Sequence, residues 1–192
     1  LVAVALPFLI WWLGVTLSHV SPIIAPGPGR TVMFLIEGRH AAAARAALGH
    51  ALGQTLPIAL LGLLAGLAFA FMLAALSLLA PALARGLLPV ALVAQNMPLV
   101  AVVPFVVLVF GRGTASSVFM AVLVVFFPAY VLLHQGFTSV PKAASDLVAA
   151  YGGGRWKQLV HIAVPYSIGH LIAAARLVAP QALLGVMIAE WL

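Results

Sequence analysis

No cysteine occurs anywhere in the chain, which excludes disulfides and thiol chemistry. Charge is almost as scarce: nine basic and three acidic side chains together make up 6% of the residues. The resulting net charge of +6 does not mark a nucleic-acid partner, because cations scattered along an apolar chain form no patch. Period-two alternation of polar and apolar residues is missing, and the apolar runs are too long for strands. The six histidines contain no i,i+4 pair, so no metal site is expected. No Ser/His/Asp grouping has the surroundings that hydrolysis needs. Gly152-Gly153-Gly154-Arg155 is glycine-rich, but no strand precedes it and no lysine–Ser/Thr pair ends it. It reads as a helix–helix turn, not a phosphate cradle.

What is present is apolar surface. Hydrophobic residues account for 65% of the 192 positions, more than a soluble domain can hide, so lipid must solvate much of it. A membrane span takes ~20 mostly apolar residues to cross ~30 Å of hydrocarbon. Five segments meet or approach that length: 1–17, 56–79, 87–110, 116–133 and 166–192. The first lacks a small-residue cleavage site before a polar stretch and reads as a span cut short at its start. Between the first two, Ser18 to Gln54 is a connector. It holds a turn rich in Pro22, Pro26, Gly27, Pro28 and Gly29, then a short amphipathic helix around His40–His50. Arg39, Arg45 and His50 are placed there at headgroup level. The expected architecture is a single all-α, polytopic membrane helix bundle. Its orientation stays open, because Arg85, Lys142, Arg155 and Lys157 on one side balance Arg30, Arg39, Arg45 and Arg112 on the other.

Prolines and glycines are dense inside the spans, which implies helices buried against other helices. Gly62 and Gly66 form a small-xxx-small pair, read as ordinary helix packing ahead of a dimer seam. Gln95 and Asn96, just before Pro98, either line a polar path or hydrogen-bond a neighbouring helix. Arg176 lies about 16 Å along a helix from Pro165, near mid-depth. Glu190 follows about 21 Å further on nearly the same face, too far to pair with Arg176 in one straight helix. Each has a structural partner on another helix, or both border an aqueous route.

The polar loop from Gly136 to Pro165 stands apart, reading GFTSVPKAASDLVAAYGGGRWKQLVHIAVP. Its pattern predicts two short helices around Gly152-Gly153-Gly154. The loop resembles that of permease subunits of binding-protein-dependent ABC importers, whose pattern is E-A-A, three residues, G, nine residues, I-x-L-P. Asp146-Leu147-Val148 stand for the triplet, Gly152 for the glycine, and Ile162-Ala163-Val164-Pro165 close the motif in register. Thr55-Leu56 with Gly62, Pro98-x-x-Ala101-x-x-Pro104-Phe105, Phe126-Phe127-Pro128, Gly136, Arg176 and Glu190 resemble the nitrate/sulfonate/taurine-type branch.

The resemblance implies a type I permease fold with a sixth span beyond Leu192. It also implies a homodimer in the cell inner membrane, working with two ATPase subunits and a periplasmic or lipid-anchored solute-binding protein. The permease itself is then no enzyme and carries no cofactor, since ATP is hydrolysed by the separate subunits. The 136–165 loop becomes cytoplasmic and couples to the ATPase through Asp146, Leu147, Val148, Gly152, Ile162 and Pro165. Asp146 either meets an arginine of the ATPase or caps its own helix. The expected solute is nitrate, a sulfonate, taurine or a pyrimidine precursor. The alternative is a secondary transporter driven by an ion gradient through Arg176, Glu190 and His170.

Overall fold

The computed structural model describes residues 2–18, 21, 23–37 and 40–191. Arg39 and Pro22 of the connector, and the end residues Leu1 and Leu192 of the outer apolar runs, lie outside these residues. Among those described the structure is helical, with no strand: α1 Val2–Leu17, α2 Pro28–Ile36, α3 Ala41–Leu79, α4 Pro81–Ala94, α5 Leu99–Phe110, α6 Thr114–Thr138, α7 Lys142–Ala150, α8 Arg155–Gln158 and α9 Val164–Trp191. The chain divides into two compact units, Leu1–Gly53 and Gln54–Leu192.

In the first unit, α2 starts with Pro28 at its opening position, where the absent N–H is no loss. Arg45 donates from Nη1 to the carbonyl of Leu35 at 2.6 Å, satisfying one of the last carbonyls of α2. The amphipathic helix expected as a separate element around His40–His50 is the beginning of α3. Nothing between His50 and Leu56 stops a helix: Ala51, Leu52 and Gln54 favour it, and Gly53 alone is too weak a breaker. Pro57 follows inside the same helix.

The second unit is organised on α6. Its buried side includes Ser117, Ala121, Val125, Ala129, Leu133 and Phe137, one ridge at i, i+4 spacing. Ridge partners come chiefly from α9, whose Ala174, Val178, Ala182 and Val186 are buried at the same spacing. Without a hydrophobic drive inside lipid, close contact between small residues must hold such helices together. Gly62 and Gly66 serve that purpose on α3: a Cβ at Gly66 would meet Val125 at 2.6 Å, and one at Gly62 would run into Ala121. The small-xxx-small pair is therefore an α3–α6 packing seam. In this core Ser77 Oγ lies 2.9 Å from Tyr130 Oη and the Tyr130 ring stacks on Phe126 and His134, whose Nδ1 is buried without a hydrogen-bond partner among the described residues.

Three helical stretches are long and apolar enough to cross a membrane: Ala41–Leu79, Thr114–Thr138 and Arg155–Trp191. The expected span 87–110 is not one helix. It is the pair α4 and α5, bent by 109° at a break over residues 95–98. Pro98 removes an N–H and biases Met97 away from helix, and Asn96 turns its side chain back onto the Leu92 carbonyl at 2.7 Å. The two helices are long and apolar enough to cross a membrane only together, as one broken span. At 16 residues α1 is short of the length a crossing needs.

Pro165 also differs from expectation. It does not open a new span but lies inside the continuous helical stretch Arg155–Trp191. A π-helical turn, Leu159–Ala163, precedes it. There the Val164 N–H reaches back to Leu159, widening the helix just where proline cannot donate.

Candidate functional site

The loop from Gly136 to Pro165 is an ordered structure with its polar and apolar tips facing outward. Helix α7 starts after Pro141, and Asp146 sits in its second turn, exposed and without a hydrogen bond among the described residues. The capping reading of Asp146 therefore fails on position, since the N-cap is Pro141. Helix α7 ends in a Schellman turn: Gly153 N–H donates to the Val148 carbonyl at 2.8 Å and Gly152 N–H to that of Ala149 at 2.9 Å. Gly152 has φ 72°, the left-handed region that glycine enters without strain. Gly153 is restricted by space, because a Cβ there would lie 2.7 Å from the Val148 carbonyl oxygen. Val148 thus has a structural part in the turn. Leu147, Tyr151 and Trp156 are 59%, 83% and 65% exposed, so the loop presents large side chains as well as the carboxylate.

Two side-chain contacts brace the loop, one within it and one to the bundle. Gln158 Nε2 donates to the Ser145 carbonyl at 3.4 Å, holding α7 against α8. Arg155 Nη1 donates to the carbonyl of Leu79 at 3.1 Å, at the end of α3. Neither is visible in the motif, and the second joins residues 76 apart in the chain. Ile162 lies in the π-helical turn and Pro165 at the start of α9, so the end of the loop runs without a break into that helix.

The polar residues of the spans fall into separate places. Gln95 and Asn96 line a cavity of about 490 Å³ at the α4–α5 break, closed by Phe127 and Pro128 of α6 and by Leu177 and Gln181 of α9. Gln181 was not among the residues singled out from sequence, although it follows Pro180 much as Gln95 and Asn96 precede Pro98. Glu190 is elsewhere, bordering a pocket with Gln54, Arg112 and Ser117 and accepting a hydrogen bond from Thr55 Oγ1 at 2.9 Å. Arg176 lines neither cavity; it is exposed, with no hydrogen bond or ion pair among the described residues. Glu190 and Arg176 therefore do not meet at either of these two cavities.

Comparison with known proteins gives the same picture. Residues 66–192 match the family described as binding-protein-dependent transport system inner membrane component. A probable ABC transporter permease protein of Haemophilus influenzae is 28% identical over 100% of this chain and 76% of its own length. The riboflavin transport system permease protein of Chloroflexus aurantiacus is 30% identical over 99% of this chain and 69% of its own. The taurine transport system permease protein of Escherichia coli is 25% identical over 88% and 62% respectively. The all-α bundle, the broken apolar helix and the exposed loop thus stand on a polytopic membrane protein, and the chain belongs to the permease components of binding-protein-dependent ABC transport systems.

Proposed function

We propose that this chain is the membrane-spanning half of an ATP-driven importer in the cell inner membrane, working as a homodimer with two ATPase subunits and an external solute-binding protein. The observation that carries the reading is the loop 136–165. An exposed carboxylate and three exposed large side chains are presented on α7, the turn after it and α8, which runs on into the long apolar helical stretch Arg155–Trp191. A surface of that composition in a chain so poor in charge suits a soluble protein partner. Asp146 then pairs with a cation of the ATPase, Leu147 and Tyr151 seat in its cleft, and Gly152 permits the turn that stiffens the connection. Nucleotide-driven closure of the ATPases moves α7. The α8–α9 stretch carries that movement into the bundle and alternates access between the two sides.

Arg176 supports the homodimer. An arginine near mid-depth costs ~2.5–3.5 kcal/mol even on lenient insertion scales, so a protein or water partner is required. A second copy of the chain supplies one. Related permeases are named for formylaminopyrimidine, riboflavin, aliphatic sulfonates and taurine, and solutes of these kinds are the candidates for this importer.

The test is a charge reversal. Asp146→Arg should leave membrane insertion and dimerisation intact and abolish solute-stimulated ATP hydrolysis in the reconstituted complex. Full stimulation in that variant sinks the coupling role.

A further inference from the structure

We infer that the cavity at the α4–α5 break is a binding site for an uncharged solute with a cyclic-amide edge, and that Gln181 joins Gln95 and Asn96 in holding it. The inference rests on the importer reading and names the kind of solute that passes.

Three features point there. The first is depth. The 14 residues of α4 carry the chain about 21 Å from Pro81 to the break, and Gln181 stands about 25 Å along α9 from Val164. Both lie well within the thickness of a bilayer, where irregular backbone is tolerated only if it is buried in protein or lines a polar space. The second is the lining. No charged side chain borders the cavity, while three carboxamides do. Arg176 precedes Leu177 on α9, but one helical step turns it onto another face, away from the cavity. A sulfonate or nitrate held here would be a charge at depth with no counter-charge, whereas a neutral solute pays no such penalty.

The third is hydrogen-bonding capacity. A carboxamide offers both an acceptor oxygen and an NH₂ donor. Asn96 spends one N–H on the Leu92 carbonyl and keeps the rest. Gln95 and Gln181 make no hydrogen bond among the described residues. Donors and acceptors side by side match the adjacent N–H and C=O of a lactam or imide ring. Phe127, Leu123 and Val124 provide an apolar wall for the ring face. A volume of about 490 Å³ lies within the range of small-molecule sites.

The absence of cysteine makes the test direct. Leu177→Cys places one thiol on the cavity wall of the intact permease–ATPase complex in proteoliposomes, with Leu123→Cys as a second reporter should the first not assemble. Modification by a water-soluble methanethiosulfonate is timed with uracil or riboflavin as neutral imide probes, and with ethanesulfonate or nitrate as anions. The neutral probes should slow modification by 1 + [L]/Kd, roughly tenfold at nine times Kd, and the anions should not. Gln181→Leu or Gln95→Leu, added to the reporter, should raise the concentration needed roughly tenfold. Protection by ethanesulfonate or nitrate, or by no probe, overturns the assignment, as does unchanged protection in both glutamine variants. Because the thiol reading does not require ATP turnover, it separates from the importer test. An anion that protects and drives ATP hydrolysis defeats the cavity assignment and leaves the importer standing. Protection by neutral probes without ATP coupling does the reverse.

Discussion

Asp146 illustrates how a side chain acquires meaning from its position in a turn of helix. Carboxylates are favoured at helix N-termini, and by type alone this one qualifies as a cap. Placed in the second turn of α7 and turned to solvent, it caps nothing and remains available to a partner. Gly152 and Gly153 are adjacent but required for different reasons, one by its φ of 72° and the other by the Val148 carbonyl beneath it. Gly152→Ala should cost about 1 kcal/mol locally and Gly153→Ala more, because backbone must shift to admit the methyl. Hydrogen exchange at the amides of residues 152 and 153 checks this. Both variants should exchange faster there, with the α6 core unchanged; equal protection in wild type and variants contradicts the turn described.

Helix α6 works as the spine because its inward ridge combines small residues at the crossings with large ones between them. Ala121 is met by Gly62 from α3 and closely approached by Gly185 from α9, so one narrow level of α6 fixes two neighbours. Gly66→Leu should push α3 off Val125 and lower the melting temperature of the detergent-solubilised protein, by an amount corresponding to about 1–3 kcal/mol of overpacking. Gly49→Leu, with no atom within 4 Å of a Cβ at that position, should leave it nearly unchanged. A drop of equal size in both variants would remove the packing seam from the account. The break between α4 and α5 belongs to the same level of organisation. Proline-bearing apolar sequence is compatible with a kinked span or with two helices, and the 109° bend is what turns Gln95 and Asn96 into cavity walls.

Across the second unit, polar groups collect at two ends. Arg155 and the end of α3 mark one; Thr55, Arg112 and Glu190 mark the other. Charge counting leaves the orientation tied, and this separation makes it testable. In the cysteine-free background, Ser145→Cys should react with an impermeant thiol reagent only in inside-out vesicles, and Thr114→Cys only from the outer face. Labelling of both from one side contradicts the proposed topology.

Composition alone required a membrane protein, since no soluble fold hides this much apolar surface, and the spacing from Asp146 to Pro165 was enough to mark the loop and its turn. Those features are local: apolar run length, helix period and the φ freedom of glycine are written within a few consecutive residues. Which polar residues meet was not legible in that way. Gln181 joins Gln95 and Asn96, Arg155 finds Leu79, and Glu190 finds Thr55 rather than Arg176, all across separations that no short window of sequence contains. Even the continuity of α3 and of Arg155–Trp191 escaped the pattern, because glycine and proline only bias a helix to end. Packing on α6 and one π-helical turn decided that these helices would continue.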